Sequence, residues 1–220
     1  MASDPGFIHL NCHSAYSLLE GALPLAKLVK LAAADHMPAV GVTDTANLFG
    51  ALEFSEKAAG AGIQPIIGCK LPVRFEAEAE YETRRPGPHR RSRHVAPVLL
   101  LAATDEGYRG LIKLVTGFYL GEAGRAEPVT LDVLAQVSAG VIAMTGGHDG
   151  LLYPILATGD VALAETRVEA LKRIFGDRLY VSIERHGMEI ERQAEPSVVD
   201  LAYRLDLPLV ATNEPFFPGR

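Results

Sequence analysis

Seven short runs of apolar and β-branched residues recur along the chain, each about as long as a strand buried on both faces. Most segments between the runs carry apolar residues at helical spacing instead, as do Leu25, Leu28, Val29 and Ala32. This alternation predicts parallel strands joined by right-handed helical crossovers. The predicted strands are Phe7–Leu10, Ala39–Thr43, Gln64–Cys69, Val98–Ala102, Gly140–Met144, Leu179–Ile183 and Pro208–Thr212.

Four residues mark the expected ends of helices. Asn47, Thr130 and Asp160 have side chains that cap helix N-termini, and Gly176 stands where a helix is expected to stop. Together with the strands they predict an α/β fold, a small seven-stranded parallel (βα) barrel formed by a single domain over residues 1–220. A doubly wound open sheet is the alternative, because periodicity alone does not separate the two.

One polar stretch, residues 76–94, interrupts the alternation between the third and fourth predicted strands. It contains five arginines between Arg84 and Arg93 around a Pro-Gly-Pro turn. We expect an inserted, solvent-exposed loop. A loop that contacts phosphates is the alternative, since arginines supply sequence-independent affinity for nucleic acid.

The composition is that of an ordinary globular protein, with 48% hydrophobic and 22% charged residues. A net charge of −6 argues against general nucleic-acid binding. Apolar runs are too short to span a bilayer, and the N-terminus does not resemble a secretory signal. Two cysteines give no disulfide framework, so we expect a cytoplasmic protein that is not bound to a membrane.

Polar residues follow almost every predicted strand, and in parallel barrels the carboxyl ends of the strands carry the chemistry. Histidines and carboxylates at one rim are the raw material of a metal or acid–base site. The rim residues are Asn11, Cys12, His13 and Ser14, Asp44 and Thr45, Cys69 and Lys70, Thr145, Gly146, Gly147, His148 and Asp149, Glu184, Arg185 and His186, and Asn213 and Glu214.

Taken singly, these residues leave their roles open. His13 is a candidate metal ligand or a structural histidine. Asp44 can ligate a metal, orient a ligand, or bond to its own loop or the next helix. The pair Gly146 and Gly147 can approach a phosphate, although such pairs are more often only turns.

Five sequence blocks, in order and in register, resemble one family over residues 6–216. They are HLNCHSAYSLLEGA, VGVTDTANLFGALEFSEKAAGAGIQPIIGCKL, VLLLAATDEGYRGLIKLV, SIERHG and LPLVATNEPFF. The chain resembles the N-terminal polymerase-and-histidinol-phosphatase (PHP) domain of bacterial DNA polymerase III alpha subunits.

The resemblance implies a distorted seven-stranded barrel that forms part of a much longer replicative polymerase. It also implies that the polymerase active site, with its Mg²⁺, lies outside these 220 residues. The implied partners are the rest of the polymerase chain, a proofreading exonuclease subunit that docks on this domain, and DNA through the polymerase.

In metal-bearing relatives, nine ligands hold a trinuclear zinc-type site that hydrolyses phosphoesters. The resemblance places these ligand positions, and so a vestigial site that also includes Asp44, in this chain. The nine positions fall on Asn11, His13, Glu20, Thr45, Lys70, Pro97, Gly147, Glu214 and Phe216.

Of these nine, only His13, Glu20 and Glu214 keep a coordinating group. An ammonium such as that of Lys70, about 4 Å from a dication, is repelled by roughly 8 kcal/mol at an effective dielectric of 20. We therefore expect no bound metal and no catalytic residues. Lys70 would instead pair with the remaining carboxylates, Asp44, Glu20 or Glu214.

Two other hypotheses remain open. One is an active phosphoesterase or 3′–5′ exonuclease that holds zinc or manganese with a reduced set of ligands. The other is a pocket that binds an anion without turnover, through Lys70, Arg185, His186 or the Gly146 backbone. The residues proposed for the reduced set are His13, Asp44, His148, Glu184, His186 and Glu214.

Overall fold

Seven strands and seven α-helices lie in the parts of the chain that the computed structural model describes, residues 6–75, 95–121 and 125–218. The predicted Arg84–Arg93 loop lies outside those residues. The strands are β1 (Ala39–Val42), β2 (Gln64–Arg74), β3 (Val95–Ala102), β4 (Val129–Thr130), β5 (Val141–Met144), β6 (Leu179–Ile183) and β7 (Leu209–Ala211). The helices are α1 (Leu25–Ala34), α2 (Ala51–Gly60), α3 (Asp105–Tyr119), α4 (Leu131–Gln136), α5 (Tyr153–Leu156), α6 (Val161–Phe175) and α7 (Glu189–Arg204), and a short 3₁₀ turn (Gly176–Arg178) follows α6.

The strands form a curled mixed sheet in the order β1–β2–β3–β5–β6–β7, with β4 paired to β2. The α/β barrel-like architecture is confirmed, but the all-parallel arrangement is wrong for β3. That strand runs antiparallel to both of its neighbours, β2 and β5. Antiparallel neighbours need no helical crossover. The stretch before β3 indeed has no apolar residues at helical spacing.

Three of the four predicted helix ends are confirmed. Thr130 and Asp160 each accept a hydrogen bond from a backbone N–H in the first turn, and Gly176 ends α6 with φ 58°. The prediction for Asn47 is wrong, because α2 starts only at Ala51. The Asn47 side chain instead accepts from the Phe49 N–H and stabilises the loop before the helix.

The first predicted strand lies where expected but forms no regular ladder. Gly41 N donates to His9 O at 2.7 Å, and Thr43 N donates to Cys12 O at 2.9 Å. On the other side, His13 N donates to Pro215 O at 3.1 Å. A Cβ on Gly41 would lie 2.7 Å from Leu10 O, so glycine permits this close approach. The N-terminal segment therefore lies between the first and last strands of the sheet.

Apolar side chains fill both faces of the curled sheet. The inner face holds the buried side chains of Leu99, Leu101 and Met144, with Leu10 and Val210 packed against them. A larger cluster packs the outer face against the helices. None of the helices in the described ranges is long and apolar enough to cross a membrane. The polar rim residues thus stand on a scaffold that is packed on both sides.

Candidate functional site

Lys70 lies in the middle of β2, not at the end of a strand as predicted, because β2 continues to Arg74. Lys70 is only 8% exposed. Nζ donates to Glu214 Oε1 and to Asp149 Oδ2, both at 2.7 Å. Burial alone would lower the pKa of Lys70, but Glu214 and Asp149 together raise it above its usual value. The lysine is therefore charged and paired.

Glu214 follows β7 and receives two hydrogen bonds on one oxygen. Besides Lys70, His13 Nε2 lies 2.8 Å from Glu214 Oε1, and both side chains are buried. The Phe216 ring stacks on the His13 ring, with centroids 4.4 Å apart. Burial opposes ionisation, but the hydrogen bond from His13 and the charge of Lys70 hold the pKa of Glu214 at about 2. Glu214 is thus the buried anion at the centre of the site.

The Asp44 carboxylate bonds to its surrounding loop and does not pair with Lys70 Nζ; the two residues meet only through the backbone, where Lys70 N donates to Asp44 O at 3.2 Å. Its Oδ1 accepts from Ser14 N at 2.6 Å and from Ser17 Oγ at 2.7 Å, and Oδ2 accepts from Ser14 Oγ at 2.7 Å. The same Ser17 hydroxyl lies 3.0 Å from His13 Nδ1. Of the roles open to Asp44, loop bonding is the one found. Asp44 shapes the loop that carries His13.

Glu20 and Thr45 meet at the outer edge of the site. Thr45 Oγ1 donates to Glu20 Oε2 at 2.5 Å. Both residues line a cleft of about 570 Å³, together with Lys70, Pro97 and Phe216. Five of the nine positions named from the resemblance therefore line one cleft, but Glu20 is engaged with a hydroxyl and not with the lysine.

Gly147 stands beside the carboxylate of Glu184. A Cβ on Gly147 would lie 1.6 Å from Glu184 Oε2, so the carboxylate occupies the space that any side chain here would need. Glu184 is 1% exposed, and its Oε1 accepts from Thr212 Oγ1 at 2.9 Å and from Asn11 Nδ2 at 3.4 Å. Burial raises the pKa of Glu184. Glu184 thus fills the space beside Gly147, and a side chain at this position would displace its carboxylate.

Of the predicted anion contacts, none presents a free cationic group. Arg185 is exposed and pairs with Glu195 at 2.6 Å, and Lys70 is already bound to two carboxylates. His186 lies 2.8 Å from Glu191 Oε1 and 2.6 Å from Asn213 Oδ1. Burial would lower the pKa of His186, but these two hydrogen bonds raise it above its usual value. Gly146 forms a turn with φ 71°.

Sequence reasoning missed several residues that organise the site. Asp149 was expected at the rim but not as a partner of Lys70. Ser14 was likewise expected at the rim but not as a partner of Asp44, and Ser17, which also holds Asp44, was not predicted. Glu191 accepts from Met188 N at 2.9 Å at the start of α7, but methionine is not an N-cap residue of a capping box, so the sequence carries no such signal for Glu191.

The family of the chain follows from comparison with known proteins. Residues 9–186 match the PHP domain family. The chain belongs to the PHP domain family. DNA polymerase III subunit alpha of Caulobacter vibrioides is 44% identical to this PHP chain over 221 residues, covering 99% of the chain but 19% of that protein. The corresponding subunit of Escherichia coli K12 is 34% identical, covering 96% of the chain and 17% of that protein. The chain thus spans about a fifth of the length of these relatives.

Solved structures support the PHP fold. An amidohydrolase from Chromobacterium violaceum, described with bound sulfate and no metal, has a TM-score of 0.61 and is 15% identical, covering 96% of this chain and 88% of that one. A two-domain protein from Bacteroides vulgatus, described as containing a predicted PHP-like metal-dependent phosphoesterase, has a TM-score of 0.55 and is 13% identical, covering 96% and 52%. At such identities the likeness concerns the fold alone.

Substituting Gly147 tests the contact with Glu184. We expect Gly147→Ala to lower the free energy of unfolding by about 1–3 kcal/mol, because the new methyl group displaces the carboxylate. Urea denaturation measures the change. As a control, Gly117→Ala on α3, where a Cβ meets open space, is expected to raise stability by up to about 1 kcal/mol. In the Glu184→Ala background the Gly147→Ala cost should largely disappear; strictly additive costs would contradict the contact.

The low pKa of Glu214 predicts a specific acid sensitivity. Because folding lowers the pKa from 4.5 to about 2, the stabilisation is complete above pH 4.5 and is lost as the pH falls toward 2. We expect the wild type to lose up to about 3 kcal/mol more than Glu214→Gln across this interval, measured by urea denaturation at each pH. The exposed Glu56→Gln control should follow the wild type. Parallel curves for the wild type and Glu214→Gln would refute the assignment.

Proposed function

We propose that this chain is the PHP domain of a DNA polymerase III alpha subunit in which an ion-pair network stands at the position of the ancestral metal cluster. In this proposal the domain is a structural and docking module, not a hydrolase. Copying of DNA, with its Mg²⁺, belongs to the remainder of the polymerase chain. The proposed location is the cytoplasm.

The observation that carries the proposal is the placement of Lys70. The resemblance places a glutamate ligand of the metal-bearing relatives at this position, and here Nζ lies 2.7 Å from Glu214 Oε1 and from Asp149 Oδ2. A cation among the carboxylates neutralises the charge that a metal would otherwise balance. A dication at the same place would be repelled by the ammonium group.

The remaining donors do not fit a trinuclear zinc-type cluster. Such a cluster needs many more than the three or four ligands of a single zinc ion. His13 Nε2 is bonded to Glu214, and Glu20 is bonded to Thr45. Thr45, Pro97 and Gly147 offer neither imidazole nor thiolate. We therefore derive no hydrolytic step at these nine positions.

A domain without its own hydrolysis fits a division of labour within a replicase. The proposed partners are the rest of the polymerase chain and a separate proofreading exonuclease subunit, and DNA is reached through the polymerase. The similarity to polymerase subunits over nearly the whole chain supports this assignment. The buried ion pairs would then maintain the barrel that presents the docking surface.

Replacing Lys70 tests the ion-pair network. We expect Lys70→Ala to lower the free energy of unfolding by about 3–5 kcal/mol, because the buried Glu214 loses its ammonium partner and keeps only the hydrogen bond to His13. Lys57→Ala is the matched control, since Lys57 forms only an exposed pair with Glu53 at 3.7 Å, and should cost less than about 1 kcal/mol. Equal costs for the two variants, measured by urea denaturation, would remove the basis for the proposal.

Hydrolysis and docking are tested on the same protein. We expect no hydrolysis of phosphoesters or of DNA 3′ ends above background with added Zn²⁺ or Mn²⁺. We also expect co-elution with the proofreading exonuclease subunit of the same organism in gel filtration. Hydrolysis that disappears in His13→Ala would favour the phosphoesterase hypothesis, and separate elution would refute the docking role.

A further inference from the structure

Three side chains next to Glu214 form a second group, the His148 cluster, which consists of His148, Glu184 and His186. None of them occupies one of the nine ligand positions of the PHP family. One ligand atom from each lies within 4.8 Å of the others. The rings of His148 and His186 are perpendicular, with centroids 6.3 Å apart. The cluster joins the loop after β5 to the residues that follow β6.

Two atoms of the cluster are buried and lack a hydrogen-bond partner in the described part of the chain. They are His148 Nδ1 and Glu184 Oε2. The other Glu184 oxygen is already held by Thr212 and Asn11. This fixes the carboxylate with Oε2 toward Gly147, the residue before His148. Buried polar atoms without a partner are rare and call for a bound group or an ionisation state that satisfies them.

The third member, His186, is oriented for metal coordination. Its Nδ1 lies 2.8 Å from Glu191 Oε1, a carboxylate that is 3% exposed. A carboxylate that accepts the Nδ1 proton leaves Nε2 as the ligating atom, the arrangement typical of histidines bound to zinc. In this structure Nε2 faces Asn213 Oδ1 at 2.6 Å, which is a contact that an ion would replace.

We propose that the His148 cluster binds one divalent transition cation of the Zn²⁺ type, with His148, Glu184 and His186 as its ligands. Two imidazoles and one carboxylate are a known donor set for zinc, and they leave a fourth position for water. Imidazoles that share one Zn²⁺ have ring centroids about 5–6 Å apart. The His148 and His186 rings, 6.3 Å apart, would need to approach each other only slightly.

This site is separate from the nine ligand positions and makes no use of Lys70. The ion would link the loop after β5 to the residues after β6, and no metal at the nine ligand positions is needed for this. Its existence therefore does not depend on the proposed function. A water molecule between the unpartnered atoms, or a protonated Glu184, is the alternative that the experiment must exclude.

Cobalt and zinc titrations of the chelator-treated protein test the proposal. We expect one equivalent of Co²⁺ to give visible absorption typical of four-coordinate cobalt, and Zn²⁺ to displace it. His186→Gln and His148→Gln should each weaken binding by at least tenfold. Glu191→Gln, which removes only the carboxylate that orients His186, should weaken binding by about 10–100-fold. Zn²⁺ should also raise the melting temperature of the wild type but not of His186→Gln.

Two controls locate the ion. His36→Asn alters an exposed histidine with φ 56°, a conformation that asparagine tolerates, and should leave the affinity unchanged. His13→Gln, at one of the nine ligand positions, should weaken binding far less than His186→Gln. Absence of binding to the wild type, or a loss with His13→Gln while His186→Gln still binds, would overturn the proposal. In the first case a water or a proton satisfies the buried atoms, and the proposed function stands on its own tests.

Discussion

The contact between Lys70 and Glu214 governs the arrangement of the rim. A buried carboxylate is costly unless a charge and hydrogen bonds compensate it, and Glu214 receives both from Lys70 and His13. Because both donors converge on one carboxylate oxygen, β2, the N-terminal segment and the chain after β7 are held in a single geometry. Asp149 extends the network to the loop after β5. The polar rim is therefore a set of mutually dependent positions.

Much of the fold could be predicted from the sequence because burial on both faces leaves a strong signal. Six of the seven predicted strand runs overlap observed strands, and the caps at Thr130 and Asp160 follow from their own side chains. The direction of β3 could not be read from periodicity, since hydrophobicity does not record the direction of a strand. The remaining run, Phe7–Leu10, which is the first along the chain, lies in the predicted place but forms too few backbone hydrogen bonds to count as a strand.

For the site, residue types could be assigned to positions but not to partners. Lys70 was expected to find a carboxylate, and Glu214 is one of those expected, whereas Asp149 was not among them. Partner choice depends on distances of a few ångströms between loops that are far apart in the sequence, which spacing does not encode. The same holds for Glu184, whose carboxylate fills the space at Gly147. A glycine in the sequence does not show which side chain, from elsewhere in the chain, fills the space beside it.

The N-terminal segment has a wider consequence for how the barrel closes. Few backbone bonds hold residues 9–13 between the sheet's first and last strands, and one of them needs the bare backbone of Gly41. Side-chain contacts from His13 to Glu214 and from Asn11 to Glu184 also join the N-terminal segment to the strands on the last side of the sheet. Such cross-links supply the cohesion that regular ladders provide elsewhere in the sheet. Polar residues at the rim of a barrel can in this way be kept by selection for architecture alone.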